Sequence, residues 1–478
     1  MPANDKKSSA LRAGSMSTLG IAALGAVMMA PALGIYANLG LIGSESGRTA
    51  PAVFLLALLC TLPTAVSYAL ISKEIPSAGS AYTWLSDSLS PQVGMWIGLL
   101  VAAMYFFAVV LQPILFGLFF NDLLSSVFQI HTGYGTWLVG VLLATGIVSL
   151  LAYPGARISA KGSIVLMICE LTVVLALSGT VLYVLAGRHQ VDMTPFDPAM
   201  ALHGRHGLFG GLIFALLTFV GFGVITTAAE ETHSPREIIP RVVILACVLL
   251  GLFWALTSWP LSLAVPEDVW AVQTAQGVNP VAVIARQYWG SGSIVVTLTA
   301  LSAVLGVYLA SIVGYARIVF AMGRDGTMPA WFARLHPKYE VPWNAQHVVI
   351  AATVAVDAIW GRWLGVYLAY DWWGTAVVFF AMISNVFVNI GCTAYFYRFR
   401  RDSFHRVWHG LVPLLGIATS LVPLYYSFGP DLWQSGWKKG QSVILFCLLV
   451  TLLSVLYTAA LHRWRREVFQ RPAVTVLE

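Results

Sequence analysis

The sequence predicts an all-α integral membrane protein with about twelve membrane-spanning helices. Three observations carry that prediction: composition, run length and charge placement. Of the 478 residues, 58% are hydrophobic and only 10% charged, and the mean hydropathy is +0.78. Soluble domains carry about 25% charge, so a soluble chain of this kind would lack polar surface to cover its core. The apolar residues form long runs, each near the 20 or so residues that a helix needs to cross the hydrocarbon. They are too long and too evenly apolar for the alternating strands of about ten residues in a membrane barrel.

The runs place spans at 14–41, 52–72, 92–121, 137–153, 162–186, 208–230, 241–262, 291–318, 345–361, 372–397, 409–428 and 441–461. With the N-terminus inside, 20 of the 27 Lys and Arg fall on the inner side and 7 on the outer. That bias follows the positive-inside rule, and a miscount near the middle would scramble it. The ninth span is the weakest, because it ends near Asp357 and runs into Arg362. Trp137, Trp270, Trp289, Trp372 and Trp373 lie near helix ends and are expected as interface anchors.

Several function classes drop out. The net charge is +6, but the basic residues sit between apolar runs, with no basic domain to hold nucleic acid. Five cysteines, all inside apolar runs and none in a CxxC pair, are expected as small buried hydrophobes and not as metal or redox ligands. His203 and His206 offer too few ligands for a metal and read as a surface loop. No Gly-rich loop ends in Gly-Lys-Ser or Gly-Lys-Thr, which argues against ATP hydrolysis. No set of catalytic groups converges, so neither an enzyme nor a cofactor is expected.

Two spans carry signals for a helix break. The first reads Gly25-Ala-Val-Met-Met-Ala-Pro31-Ala-Leu-Gly34-Ile-Tyr36, in which Pro31 lacks a donor and clashes with the preceding turn. The sixth reads Leu217-Thr-Phe-Val-Gly221-Phe-Gly223-Val-Ile-Thr-Thr227, with two glycines near mid-membrane. Spans one and six are equivalent points of a five-plus-five arrangement. Weakened spans at matching positions in two halves point to a transport site, and an odd number of spans per half makes the halves inverted. A break in span one is expected to free amides at Leu33, Gly34 and Ile35 for an anion. A break in span six is expected to free carbonyls near Thr218 and Val220 for an ammonium group, with the carbonyl of Ala30 across the break.

At this point the chain resembles the amino acid–polyamine–organocation (APC) transporter superfamily. Ile75-Pro-Ser-Ala-Gly-Ser-Ala-Tyr82 is similar to its segment after span two. The stretch from Phe219 through Glu230-Glu231, Pro235-Arg236 and Pro240-Arg241 is similar to its span-six block. Gly314-Tyr-Ala-Arg317 through Arg324-Asp325-Gly326 to Pro329 resembles the signature after span eight, followed by His336-Pro337 and Pro342-Trp-Asn-Ala345. The likeness runs from Leu19 to about Tyr395. It implies secondary transport by alternating access in a ten-helix core of two inverted repeats with discontinuous helices one and six. The expected organisation is a cytoplasmic N-terminal segment 1–13, a transport core 14–397, two further helices within 398–461 and a cytoplasmic tail 462–478. The setting expected is a bacterial inner membrane, crossed many times, with both termini cytoplasmic. Relatives often carry an acid where this chain has Gly223, and several carry Lys at the position matching Glu170.

Glu170 lies inside an apolar run, where a charged carboxylate is costly, and is a candidate proton carrier as well as a candidate structural hydrogen-bond partner. Tyr36 and Phe219 flank the breaks as candidate gates, with Phe222 beside them. Tyr105 and Phe106 in span three are expected to border the site, since that helix does so in proteins that resemble this one, and Leu217 stands where some relatives have an aromatic residue. Glu230, Glu231, Arg236, Arg241, Arg317, Arg324 and Asp325 are expected to form an ion-pair latch at the inner end, or only to set topology.

The leading functional expectation is a proton-coupled or exchanging transporter of small neutral amino acids. The alternative is an amine or polyamine importer resembling the putrescine-importer branch. Gly223 favours the first, since a polyamine needs an acid there. A channel is disfavoured because paired breaks fit a closed site and not a continuous pore. The expected partners are the small solute, protons and the lipid bilayer.

Overall fold

The computed structural model describes residues 18–152, 160–266, 269–270, 279–339 and 341–470. The expected N-terminal segment 1–13 and the tail beyond residue 470 lie outside the described residues. Among the described residues, eleven helical segments are long and apolar enough to cross a membrane. The first predicted span is instead divided into three short pieces: α1 (Thr18–Met29), α2 (Pro31–Tyr36) and α3 (Asn38–Ser46). That division is the whole difference between twelve predicted spans and eleven long ones. Leu150, Leu249 and Leu256 are among many large apolar side chains on the outside, as a chain dissolved in lipid requires.

The second to fifth spans are α4 (Ala50–Glu74), α6 (Pro91–Val127), α7 (Tyr134–Ala152) and α8 (Ala160–Gly187), with a short loop helix α5 (Ala81–Ser88) after the second. The sixth span is split into α9 (Arg205–Phe219) and α10 (Phe222–Thr227). Then come α11 (Pro235–Leu263), a short α12 (Pro280–Trp289), α13 (Ile294–Arg324), α14 (Trp343–Leu364) and α15 (Val366–Phe399), and finally α16 (Val412–Phe428) and α17 (Ser442–Trp464). The ninth span, weak in sequence, forms as α14 with Asp357 fully buried.

Packing reveals the internal symmetry. The two largest helix interfaces join α4 to α11 and α6 to α13, that is, span two to seven and span three to eight. Pieces of spans one and six also pack together, as do spans four and nine. Each pair occupies equivalent places in two halves of five. The third and tenth spans are the most enclosed, with 83% and 78% of their apolar windows buried, while the twelfth has 22%. The centre of the bundle therefore lies among spans one, three, six, eight and ten.

Two expectations are corrected here. Trp137, Trp270, Trp372 and Trp373 are core residues at 0–2% exposure and not interface anchors. Close packing is the reason: a Cβ at Gly361 would reach within 2.7 Å of the Trp137 ring, and one at Gly43 within 2.7 Å of the Trp270 ring. Only Cys247, Cys392 and Cys447 are buried; Cys60 is half-buried and Cys169 faces outward on α8.

Candidate functional site

The break in span one falls at Ala30, whose φ of 49° and ψ of 72° put a non-glycine residue in the left-handed region. Such strain costs about 1–3 kcal/mol and persists only where its surroundings hold it. Pro31, with its fixed φ, then starts α2. Restarting this early changes which groups are free. The Gly34 amide donates to the Ala30 carbonyl at 3.1 Å, so neither group is available, and Ile35 lies within the helix. The amides of Ala32 and Leu33 find no backbone acceptor among the described residues. Of the three amides expected from sequence, Leu33 alone is open.

The break in span six lies where it was expected. Helix α9 ends at Phe219, and Val220 and Gly221 link it to α10. Val220 donates to the Leu217 carbonyl at 3.3 Å and Val224 to the Gly221 carbonyl at 3.1 Å. The carbonyls of Thr218, Phe219 and Val220 receive no backbone N–H among the described residues. Gly221 brings the two breaks together: a Cβ there would lie 2.6 Å from the carbonyl of Met28 and 2.8 Å from the amide nitrogen of Met29. Gly34 makes room for Trp254, whose Nε1 donates to the Pro31 carbonyl at 2.9 Å.

Two cavities flank this junction, and Val220 lines both. The upper one is walled by Ala30, Leu33 and Gly34 from span one and by Leu217, Thr218 and Val220 from span six. The lower one is lined by Tyr105, Phe219, Phe222 and Gly223 with Tyr68 and Asn385. Among the described residues, no charged side chain lines either.

Ile35, Tyr36 and Phe106 line neither cavity. The register of α2 turns residues 30, 33, 34 and 38 toward the upper cavity and Tyr36 away from it. Tyr36 instead borders a separate small space beside Asp122 and Asn279. Phe106 packs on Phe107 and Tyr315, and Phe219 meets Trp254 edge-on at 5.0 Å. Glu170 is buried on α8, which packs against α1, α2, α11 and α13, and it too lines neither cavity.

Sequence reasoning missed Asn38, Gln112, Ser311 and Tyr370 around the upper cavity. Tyr370 donates to Asn38 Oδ1 at 2.8 Å and closes it from above. Gln112 had a readable signal, as a lone amide before Pro113 inside a long apolar run.

At the end of the bundle carrying the basic loops, ion pairs join the segment after α10 to α13. Arg324 donates to both oxygens of Glu230 at 3.2 and 3.3 Å, and Ala78 of the loop after span two donates to the same carboxylate at 3.1 Å. Arg317 meets Glu231 at 2.7 Å. Ser80, left-handed at φ 46°, shares a 2.7 Å hydrogen bond with Thr226 of α10. The side chains of these two ion pairs are sheltered, at 6–18% exposure. Arg236 and Arg241 are exposed on α11, and the two glutamates are taken by Arg317 and Arg324. Asp325 accepts from the Tyr82 hydroxyl at 2.9 Å; burial raises its pKa despite that bond and the Arg324 charge. Nearby Asp87 is pushed up to about 6 by burial and then by the Asp325 charge. At the opposite end, Lys439 at the start of the twelfth span holds Glu45 of α3 at 3.0 Å.

A profile of the family described as amino acid permease matches residues 21–429. The chain belongs to the amino acid permease family. Its fold is that of the APC superfamily, and it is a secondary transporter of small organic solutes, amino acids or amines, not a catalytic domain. The permease is 25% identical over 392 residues to the low-affinity putrescine importer PlaP of Escherichia coli (strain K12), covering 80% of this chain and 81% of that protein. It is 26% identical over 328 residues to the branched-chain amino acid permease BcaP of Bacillus subtilis (strain 168), covering 65% and 68%. Among solved structures, the Eremococcus coleocola manganese transporter superposes with a TM-score of 0.52 at 12% identity, covering 95% of each chain. That likeness extends to the fold alone.

Proposed function

We propose that this permease imports small organic amines and holds their ammonium group on the carbonyls of Thr218, Phe219 and Val220. The observation that carries the reading is that these three carbonyls lack backbone donors at a helix end between two cavities. The lower cavity adds the aromatic side chains of Tyr68, Tyr105 and Phe222, which attract a cation by their faces. Similarity to a putrescine importer over four-fifths of both chains points the same way. Gly223 supplies no acid, so the backbone must supply the negative end.

This ranking reverses the expectation from sequence. The neutral amino acid reading relied on three amides in span one, of which two are inside the helix. It stands as the second reading because Leu33, with an open amide, lines the upper cavity, and because BcaP is a relative. In either case the latch opens toward the cytoplasm, where both termini lie, in a bacterial inner membrane. Glu170, on the helix α8 that packs against both pieces of span one, is the candidate for the coupling proton. A Glu170→Gln variant with unchanged pH dependence of uptake removes that role.

Competition binding with matched ligands tests the substrate class: a neutral amino acid, its decarboxylated amine and its amide. The amine and the amide should compete at least as well as the parent amino acid. If only the parent competes, carboxylate recognition by span one takes first place.

A further inference from the structure

We infer that Gln112 reads the substrate's N–H donors, a specificity-determining role that separates primary and secondary amines from fully N-methylated ones. The inference rests on the amine reading for its ligand class, and on a different set of atoms for its site.

Gln112 lies mid-helix on α6, one residue before the helix-interior Pro113, and is 6% exposed. Its Nε2 donates to the Ala108 carbonyl at 3.3 Å, one turn back. That bond fixes the orientation of the amide, because a flipped amide would set its oxygen against the Ala108 carbonyl oxygen. The oxygen Oε1 is left buried with no hydrogen-bond partner. A buried acceptor without a donor is unfavourable in any protein and more so in a bundle without bulk water. Gln112 lines the upper cavity, which Thr218 and Val220 of the sixth-span break also line.

The other polar side chains of that wall are engaged. The Thr218 hydroxyl donates to the Ala215 carbonyl at 2.6 Å, the Ser311 hydroxyl to Met28 Sδ at 3.6 Å, and the Tyr370 hydroxyl to Asn38. Gln112 thus brings a buried, unsatisfied side-chain acceptor to the wall of the cavity, alongside the free carbonyls. Acceptors from both spans select a ligand with several N–H donors and disfavour a quaternary ammonium, which has charge but nothing to donate.

The test uses the purified full-length protein and two probes, a primary alkylammonium and its N,N,N-trimethyl form. Gln112→Met keeps the side-chain volume and removes the amide; Gln112→Asn keeps the amide and withdraws it by one methylene. Wild type should prefer the primary amine. Each variant should lose about tenfold in affinity for it while the trimethyl form changes by less than about twofold. Unchanged preference in both variants overturns the inference. Equal loss of both probes also overturns it, since that is the signature of a merely structural role. If wild type binds only the neutral amino acid, the amine reading falls, and the same comparison with that amino acid and its N-trimethyl form decides Gln112 by the same ratio.

Discussion

Removing Glu230 should unlatch the basic end of the bundle. Its carboxylate is 6% exposed and its partner Arg324 13%, so the pair is sheltered from solvent screening. Glu230→Gln takes the charge from a site that now accepts three hydrogen bonds, two from Arg324 and one from Ala78. Breaking a buried pair by removing one partner costs about 3–5 kcal/mol. The latch sits near the end of the bundle, so the low end of that range applies. A loss of about 3 kcal/mol moves the ratio of closed to open forms roughly a hundredfold. Ser384 lines the lower cavity at 2% exposure and serves as the reporter. In a background without the five native cysteines, Ser384→Cys should react with a charged thiol reagent about a hundredfold faster once Glu230→Gln is added. Arg241→Ala, on an exposed residue of α11, should leave the rate unchanged. A folded Glu230→Gln protein whose labelling rate stays within about twofold of the parent would refute the latch.

Two glycines two residues apart should behave differently. Gly221→Ala would drive a Cβ to 2.6 Å from the Met28 carbonyl, which backbone cannot yield; it should cost about 1–3 kcal/mol and abolish binding. Gly223→Ala would place its Cβ 3.4 Å from the Tyr105 hydroxyl and 3.7 Å from Tyr68, ordinary contacts, so its melting temperature should match wild type; equal damage from both would mean the breaks are not apposed. Asp87 gives a pH signature. Its folded pKa is raised to about 6, so the folded state binds the extra proton, and this group's contribution to stability falls as pH rises from about 4 to 6. Asp87→Asn should therefore melt higher than wild type at pH 7, with the difference vanishing below pH 4; a pH-independent difference would assign the effect to packing. The amine-selectivity ratios of Gln112→Met and Gln112→Asn form the fourth test.

Long apolar runs and the placement of Lys and Arg made the helices and the two breaks legible, because both signals are local. The sixth-span break was located to within a residue or two, since Gly221 lies in the link between α9 and α10. The first was displaced because Pro31 restarts the helix at once, and only the backbone angles of Ala30 reveal that. This shift turned Tyr36 away from the cavity and took Gly34 and Ile35 out of the anion site. Burial was the harder quantity: Trp137 and Trp372 look like interface anchors in sequence until neighbouring helices cover them. Gln112 is a long-range case, as its meaning depends on which carbonyls line the same cavity.

The most direct test of the central claim is flux through the protein alone. Purified permease in sealed liposomes should take up a radiolabelled small primary amine, saturably and without nucleotide. The matched neutral amino acid should compete no better than the unlabelled amine. Saturable uptake of the amino acid with none of the amine would contradict recognition through the carbonyls of Thr218, Phe219 and Val220.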